Sequence, residues 1–183
     1  MAKYLNISKL DAAKRELEMA ISLFLSNSDI VCIHSLTASA HNLLRDLGKK
    51  QGIKSFTKDI AVDMVKPEKR DEFRKTITKA DNFFKHADRD EGEILKFYFR
   101  ATEIVLWDAC RMYHALTKEL PPLIQIYNAW FYFKNPDMLE DEKAQQLFKK
   151  ATTTLDQENR KQFLDLLPYA IREKSKTITT EQL

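Results

Sequence analysis

Turn-forming residues are scarce in this chain, and their scarcity constrains the fold more than any other feature. Only three glycines and five prolines occur among 183 residues. A fold rich in sheets needs many tight turns, and glycine and proline supply the backbone conformations that such turns require. Apolar residues also recur at helical spacing, as Ala13, Leu17, Ile21 and Phe24 do. The sequence therefore predicts an all-α protein, an antiparallel helical bundle of six to seven helices.

We expect one helical domain over residues 1–183, with a bundle core at 8–118, additional C-terminal helices at 121–173 and a frayed tail at 174–183. Ser8 and Asp11 form a weak capping-box pattern at the start of the first helix. Residues 95–99 alternate enough for a short strand, although we favour a helix there. The later predicted helices are 30–50, a short one near 59–65, 68–87, 93–118, 123–133, 140–153 and 156–173.

Neither a signal-peptide pattern nor an apolar run near 18 residues occurs, so the sequence predicts a cytoplasmic protein without a membrane segment. Cys32 and Cys110 both fall in apolar-periodic segments. This placement favours two buried thiols over a disulfide, and a reducing compartment.

The net charge of +3 does not by itself indicate a nucleic-acid binder. The charge is unevenly placed, however, because residues 45–90 hold 13 Lys and Arg against nine Asp and Glu. Such a bias is compatible with a solvated surface of mixed charge and with a phosphate-binding patch.

The stretch 79–90 concentrates an imidazole, an amide, both charge signs and two aromatic rings. Asn82 and His86 are four positions apart and therefore share one side of a helix, which Lys75 and Lys79 extend. An apolar stripe on nearly the opposite side is the expected core face. That stripe consists of Phe73, Ile77, Ala80 and Phe84.

Two interpretations of His86 are open. An imidazole near a helix C-terminus is favoured as a cation and can act as an acid or hold a phosphate, with Asn82 orienting it. Lys79, Lys85 and Arg89 would then supply positive charge for a phosphodiester. Alternatively, His86 caps the helix by satisfying a local carbonyl.

His34 and His41 are seven positions apart on one helical stripe, which Arg45 extends. Seven residues rise about 10.5 Å, too far for both rings to bind one ion comfortably. The pair can therefore serve in hydrogen bonds between helices, in the same polar cleft as His86 or, less favourably, in a metal site. We expect no metal and no cofactor.

Aromatic residues are dense between Leu123 and Phe133. A helix that is apolar on so many sides is packed on both faces or covers a partner. Trp107 and Trp130 are core residues or, alternatively, a stacking platform for bases. If the helix covers a partner, the protein is a non-enzymatic protein-interaction or regulatory module.

The run Asp81-Asn82-Phe83-Phe84-Lys85-His86 resembles the Arg-Asn-x-x-x-His element of HEPN domains (helical higher eukaryote and prokaryote nucleotide-binding domains). The resemblance covers roughly residues 10–116. It implies two helices, a linker and a motif helix, and a homodimer in which two motif helices meet in a cleft. Active members of the family cut RNA without a metal.

Asn82 and His86 match the family element, whereas Asp81 stands at the position of the arginine. A carboxylate cannot replace a cation that stabilises a phosphorane-like transition state. The resemblance therefore implies a protein that binds RNA or a phosphorylated nucleotide in a basic cleft, either as a ribonuclease or as an inactive relative. The catalytic residues would be His86 and Asn82. The binding residues would be Lys75, Lys79, Lys85, Arg89, His34, His41 and Arg45.

Overall fold

The computed structural model describes residues 3–86, 88, 91–151, 156 and 158–172, and within these ranges the chain is helical, without a strand. The predicted all-α class is confirmed, whereas the described residues form eight α-helices rather than the six to seven expected. Short turns of other helical types occur at Phe56–Ile60, Pro67–Lys69 and Pro136–Met138. The α-helices are α1 (Lys9–Leu25), α2 (Ile30–Lys49), α3 (Ala61–Asp63), α4 (Arg70–Lys85), α5 (Phe99–Thr117), α6 (Pro122–Lys134), α7 (Glu142–Ala151) and α8 (Lys161–Leu164).

The predicted start of α1 is confirmed in atomic detail. Ser8 Oγ accepts a hydrogen bond from the Asp11 backbone N–H at 3.0 Å, and Asp11 Oδ2 accepts one from the Ser8 backbone N–H at 3.2 Å. Each side chain satisfies a backbone donor that the first helical turn leaves unpaired. The capping box therefore fixes where α1 begins.

Two predicted helices differ from the structure. The helix expected at 93–118 begins only at Phe99, and residues 93–98 form no regular element. The helix expected at 156–173 is present in part as α8 and a further helical segment at 167–172. The predicted tail at 174–183, and the end of the helix predicted at 140–153, lie outside the described residues.

The chain divides into two compact units. The first comprises the described residues up to Ala20 together with Ile30–Lys118, and the second comprises Ile21–Asp29 together with the described residues from Glu119 onwards.

Within the first unit, α2 and α5 form the most extensive helix pair. His34 contacts Thr102 and His41 contacts Asp108, so residue numbers rise in the same direction along both helices, which run parallel. The contacts of α2 with α4 run the opposite way, from His34 with Phe84 to Asn42 with Asp81. The three helices are thus arranged up, down and up, which makes the first and third parallel.

Within the second unit, the aromatic residues of α6 form the core. Phe24 packs edge-to-face against Trp130, with ring centroids 4.7 Å apart, and against Tyr127 at 5.5 Å. Phe133 packs on Phe163 at 5.5 Å. Of the two possibilities for this helix, the structure shows side chains packed inside their own unit.

None of the helices in the described part of the chain combines the length and the apolar character that a membrane span requires. Neither cysteine forms a disulfide, as predicted. The expectation that both thiols are buried is wrong for Cys32, which is exposed, and correct for Cys110. Cys32 lies in the first turn of α2, beside the exposed Val31, where the apolar pattern does not coincide with the buried face.

Candidate functional site

The motif helix α4 turns its carboxylate inward and its amide and imidazole outward. Asp81 is 9% exposed and accepts a hydrogen bond from Asn42 Nδ2 at 3.1 Å. Its other oxygen lies 2.5 Å from Lys85 Nζ. Burial raises the pKa of Asp81, but the hydrogen bonds from Lys85 and Asn42 outweigh burial and lower that pKa below its usual value. The residue at the family's arginine position is therefore a paired anion directed towards α2.

Asn82 and His86 are both exposed. His86 is the residue that caps the C-terminus of α4, with an extended backbone, and its N–H donates to the Asn82 carbonyl at 3.0 Å. The two predicted catalytic residues are thus linked through the backbone at the end of the helix. Asn82 lies on the face of α4 opposite Phe73, Ile77 and Phe84, and His86 follows directly after the last helical residue.

Two predicted binding residues join Asn82 in a shallow concavity. Lys75 and Lys79 line it together with Asn82, in a space of about 340 Å³ on the outer face of α4. Glu72 contributes a carboxylate to the same wall. Lys85 instead faces Asp81, and Arg89 lies outside the described residues.

Arg45 lines a second cavity, also of about 340 Å³, between the end of α2 and the chain that follows it. The bases on its walls are Arg45, Lys49, Lys54, Lys58 and Arg74, and the acids are Asp59 and Asp63. A smaller space of about 220 Å³ shares Arg45, Lys58 and Arg74 with it. That smaller space also shares Lys75 and Thr78 with the concavity around Asn82.

These shared wall residues make the three spaces one continuous surface, which we call the basic track. Its cations outnumber its acids, Asp59, Asp63 and Glu72, by seven to three. Three of these cations also pair with carboxylates outside the walls, since Lys49, Arg74 and Lys58 lie 2.6, 2.9 and 3.9 Å from Asp46, Asp71 and Asp81. The positive charge that is left, mainly on Lys75 and Lys79, lies along a concave surface and attracts anions. The cations of the basic track are Arg45, Lys49, Lys54, Lys58, Arg74, Lys75 and Lys79.

Lys58 is the innermost cation of the track. Its side chain is 10% exposed, and its Nζ donates to Asn42 Oδ1 at 2.7 Å and lies 3.9 Å from Asp81 Oδ2. Burial lowers the pKa of Lys58, although the Asp81 carboxylate opposes this effect. Sequence reasoning missed Lys58, because a lysine in an irregular connector carries no periodic signal.

Arg45 holds the wall of the track through a pair with Asp59. Its Nε lies 3.1 Å from both carboxylate oxygens and its Nη2 lies 2.5 Å from one of them. The hydrogen bond from Arg45 lowers the pKa of Asp59, as does the Ser55 backbone N–H that donates to it. The two side chains are 29% and 24% exposed, so Arg45 is still partly accessible in the wall of the cavity.

His34 and His41 do not join His86. Their exposed fractions are 4% and 0%, and each bonds from α2 to α5. His34 Nδ1 lies 3.0 Å from Thr102 Oγ1, and His41 Nε2 lies 2.9 Å from Asp108 Oδ2. Of the interpretations left open, the structure shows hydrogen bonds between helices, and the assignment of these two residues to the polar cleft is wrong. In the described part of the chain, no cluster of His, Cys, Asp or Glu could hold a metal.

Asp108 is the buried anion that accepts most of the hydrogen bonds in this region, and the sequence analysis did not predict its role. It is fully buried on α5. Burial raises its pKa, but the hydrogen bonds from His41 and from backbone N–H groups outweigh burial and hold the pKa well below its usual range. Its donors are His41, the Ser55 and Thr57 hydroxyls, the Phe56 and Thr57 backbone N–H groups, and Arg111.

These bonds anchor the turn at 55–58 to α5 and thereby place Lys58 and Asp59 in the track. The sequence did contain one sign of this buried carboxylate. Asp108 lies between Trp107 and Cys110, within an otherwise apolar-periodic segment of α5. Buried charges of this kind are almost always paired, so the segment had to approach a cluster of donors.

Comparisons of the chain with protein-family models, with curated proteins and with solved structures find no match.

Proposed function

We propose that this chain is a HEPN-like protein that binds RNA or a phosphorylated nucleotide along the basic track. The observation that carries the proposal is the clustering of seven cations on one concave surface, where Lys75 and Lys79 form no ion pair with any carboxylate of the described chain. Phosphate groups are the common biological anions that such a surface fits, and contacts with them supply most of the affinity of nucleic-acid binders.

Binding is better supported than cleavage. Asp81 is directed inward and paired, so it leaves the motif without the cation that a transition state of phosphoryl transfer requires. Lys79 and Lys85 do not replace it, because Lys79 faces the outer concavity and Lys85 is paired with Asp81. His86 stays the candidate acid or base if the protein does cleave RNA, with Asn82 as its neighbour.

A homodimer fits this proposal. The outer face of α4 carries Asn82 and leads to the exposed His86 at the helix end, but it has no second wall within the described chain, and a copy of the same face would supply one. The interaction-module hypothesis loses support because Tyr127, Trp130, Phe131 and Phe133 are all buried within the second unit.

The first test measures binding of a labelled single-stranded RNA by fluorescence anisotropy at several salt concentrations. We expect log K to fall with log salt with a slope of roughly −0.7 for each phosphate contacted. Lys75→Gln and Lys79→Gln should each weaken binding and reduce that slope by about 0.7. Both side chains are exposed on α4, so folding should be unaffected.

Lys143→Gln is the matched control, since Lys143 is an exposed lysine on α7 in the other unit and should leave binding unchanged. Equal effects of Lys143→Gln and Lys75→Gln, or binding that salt does not weaken, would refute the proposal. His86→Ala should preserve RNA binding, and any RNA cleavage that it abolishes would assign the acid or base role to His86.

A further inference from the structure

An apolar cavity of about 290 Å³ lies between α4 and α5, and residues of the turn at 56–60 form part of its wall. It is about twice the size of a 150 Å³ cavity that admits benzene in a protein core. Its walls are almost entirely carbon. The main contributors are Phe56, Phe73, Ile77, Ala101, Ile104 and Val105.

The polar groups at the edge of this cavity are already engaged. Thr57 Oγ1 donates to Asp108 Oδ2 at 3.0 Å, and Lys58 Nζ donates to Asn42 at 2.7 Å. A nucleobase placed here would lose the hydrogen bonds that its edges make with water and gain few in return, which is costly. The cavity therefore suits a hydrocarbon chain or an aryl ring.

The cavity also adjoins the basic track. Lys58 and Ile77 line both the cavity and the narrow part of the track next to Arg74 and Lys75. Lys58 thus contributes to the wall of both spaces, and the cations Arg45, Arg74 and Lys75 line the track beside it. A single small molecule could thus occupy both spaces, with an apolar group on one side of Lys58 and an anionic group on the other.

We propose that the cavity binds the apolar part of an amphipathic organic phosphate whose phosphate group lies on the basic track. The proposal rests on the proposed function for its phosphate group only, since the apolar half follows from the lining of the cavity. The arrangement, a mostly apolar pocket with few polar groups at one end, is the usual one for small-molecule sites. RNA would use the track alone.

The test is a calorimetric series of alkyl phosphates, from methyl to decyl phosphate, each kept below its micelle concentration. Affinity should rise about two- to fourfold for each added methylene until the cavity is filled, and then level off. Octanol and other neutral alcohols should bind more weakly than the phosphates of equal chain length.

Variants separate the two halves of the site. Ala101→Leu fills the mouth of the cavity at an exposed position and should abolish the gain with chain length while leaving methyl phosphate binding intact. Ala61→Leu is the second filling variant, and Ala115→Leu, on α5 but outside the cavity lining, is the control. Lys75→Gln should weaken every phosphate in the series by a similar factor.

The outcomes are distinguishable. Phosphate binding that does not depend on chain length would overturn the apolar cavity and leave the proposed function intact. Chain-length dependence shared by neutral alcohols, without any binding of methyl phosphate or RNA, would overturn the proposed function and the amphipathic ligand together. Dimerisation that Ala101→Leu disrupts would show that a second copy covers the cavity, and would also refute the proposal.

Discussion

At the scale of single residues, the interior of the first unit depends on buried polar side chains that bond to one another, although Nδ1 of His41 has no hydrogen-bond partner among the described residues. His34, His41 and Asp108 are buried between α2 and α5. A buried carboxylate or imidazole is tolerable only where hydrogen bonds replace those it made with water. The donors around Asp108 meet that requirement, and in doing so they fix the connector that carries Lys58.

The buried imidazole of His34 should make the free energy of unfolding depend on pH in a defined direction. Burial lowers the pKa of His34 from the usual 6.5 of histidine to about 4, and the Asp81 carboxylate opposes this effect. Between these values the unfolded chain takes up a proton that the folded chain does not. Stability should therefore be complete above pH 6.5 and fall as the pH drops through 4, by about 3 kcal/mol from this residue.

Urea unfolding at a series of pH values measures this effect. His34→Gln should flatten the dependence between pH 6.5 and pH 4, although His41, whose pKa burial also lowers, should keep part of it. His86→Gln, at an exposed imidazole, should retain the full dependence. A His34→Gln variant whose stability changes with pH as steeply as the wild type would contradict the assignment.

Sequence reasoning located polar residues better than it located their partners. The spacing of His34 and His41 indicated one helical stripe, and the stripe is real. The sequence could not show that the stripe faces α5, because Thr102 and Asp108 lie 68 and 67 positions further along the chain. Lys58 and Asp59 were missed for the same reason.

At the scale of elements, the sequence predicted helix ends correctly wherever those ends depend only on residues a few positions apart. The capping box, the start of α2 at Ile30 and the position of Pro67 at the start of a helical turn all agree with the sequence. The segment before α5 shows the opposite case. Its alternation is real, since Leu95 and Phe97 are half-buried while Ile94, Lys96 and Tyr98 are exposed, but it forms neither the favoured helix nor a strand.

A tertiary contact explains why Phe97 is half-buried although it lies outside a helix. The Phe97 ring packs 5.0 Å from His34 and 5.3 Å from Phe84, centroid to centroid. The alternating burial of Leu95 and Phe97 is the pattern that an extended backbone produces, since such a backbone places alternate side chains on one side. No strand lies beside this segment in the described part of the chain, and residues 93–98 form no regular element.

The end of α5 offers a test of backbone strain. Lys118 adopts a left-handed conformation with φ of 61°, and its N–H closes the helix on the His114 carbonyl at 2.8 Å. Glycine takes this conformation without the steric cost that a side chain imposes. Lys118→Gly should therefore raise the free energy of unfolding by up to about 1 kcal/mol, as measured in urea.

Lys66→Gly is the matched control, because Lys66 has a φ of −53° that suits any residue. There the added flexibility of the unfolded chain should lower stability by a few tenths of a kcal/mol, or about 1 kcal/mol at most. If both variants lose stability equally, the left-handed conformation at Lys118 carries no strain.

At the scale of the whole molecule, each unit has a core of its own character. The second unit relies on aromatic packing around Phe24 and α6, and the first places charged and polar groups between its helices. The bias of positive charge over residues 45–90 that the sequence showed belongs entirely to the first unit. Folding gathers a part of it on the basic track.

The two cysteines report on the opening of the first unit. Cys32 is exposed, whereas Cys110 is fully buried on α5, where burial strongly raises its pKa. A thiol reagent should modify one cysteine per chain at once and the second only as fast as the unit unfolds, because only the exposed thiolate reacts. In denaturant both should react quickly.

Cys32→Ser should remove the fast phase and leave the slow one, which should accelerate with urea. Rapid modification of Cys110 in the native protein would show that α5 is accessible without unfolding, contrary to the packing described. The slow phase also measures the rate at which the first unit opens. A phosphate ligand that binds the folded unit should lower that rate.

The sequence by itself determined the helical class, the ends of the helices whose caps are local, and the two faces of α4. Those features depend on residues within a few positions of each other, so spacing and side-chain chemistry suffice to specify them. The tertiary structure alone decided that His34 and His41 are internal, that Asp81 points inward and that Lys58 joins the basic track. Each of these outcomes depends on partners far apart in the chain, which come together only when α2, α4 and α5 pack.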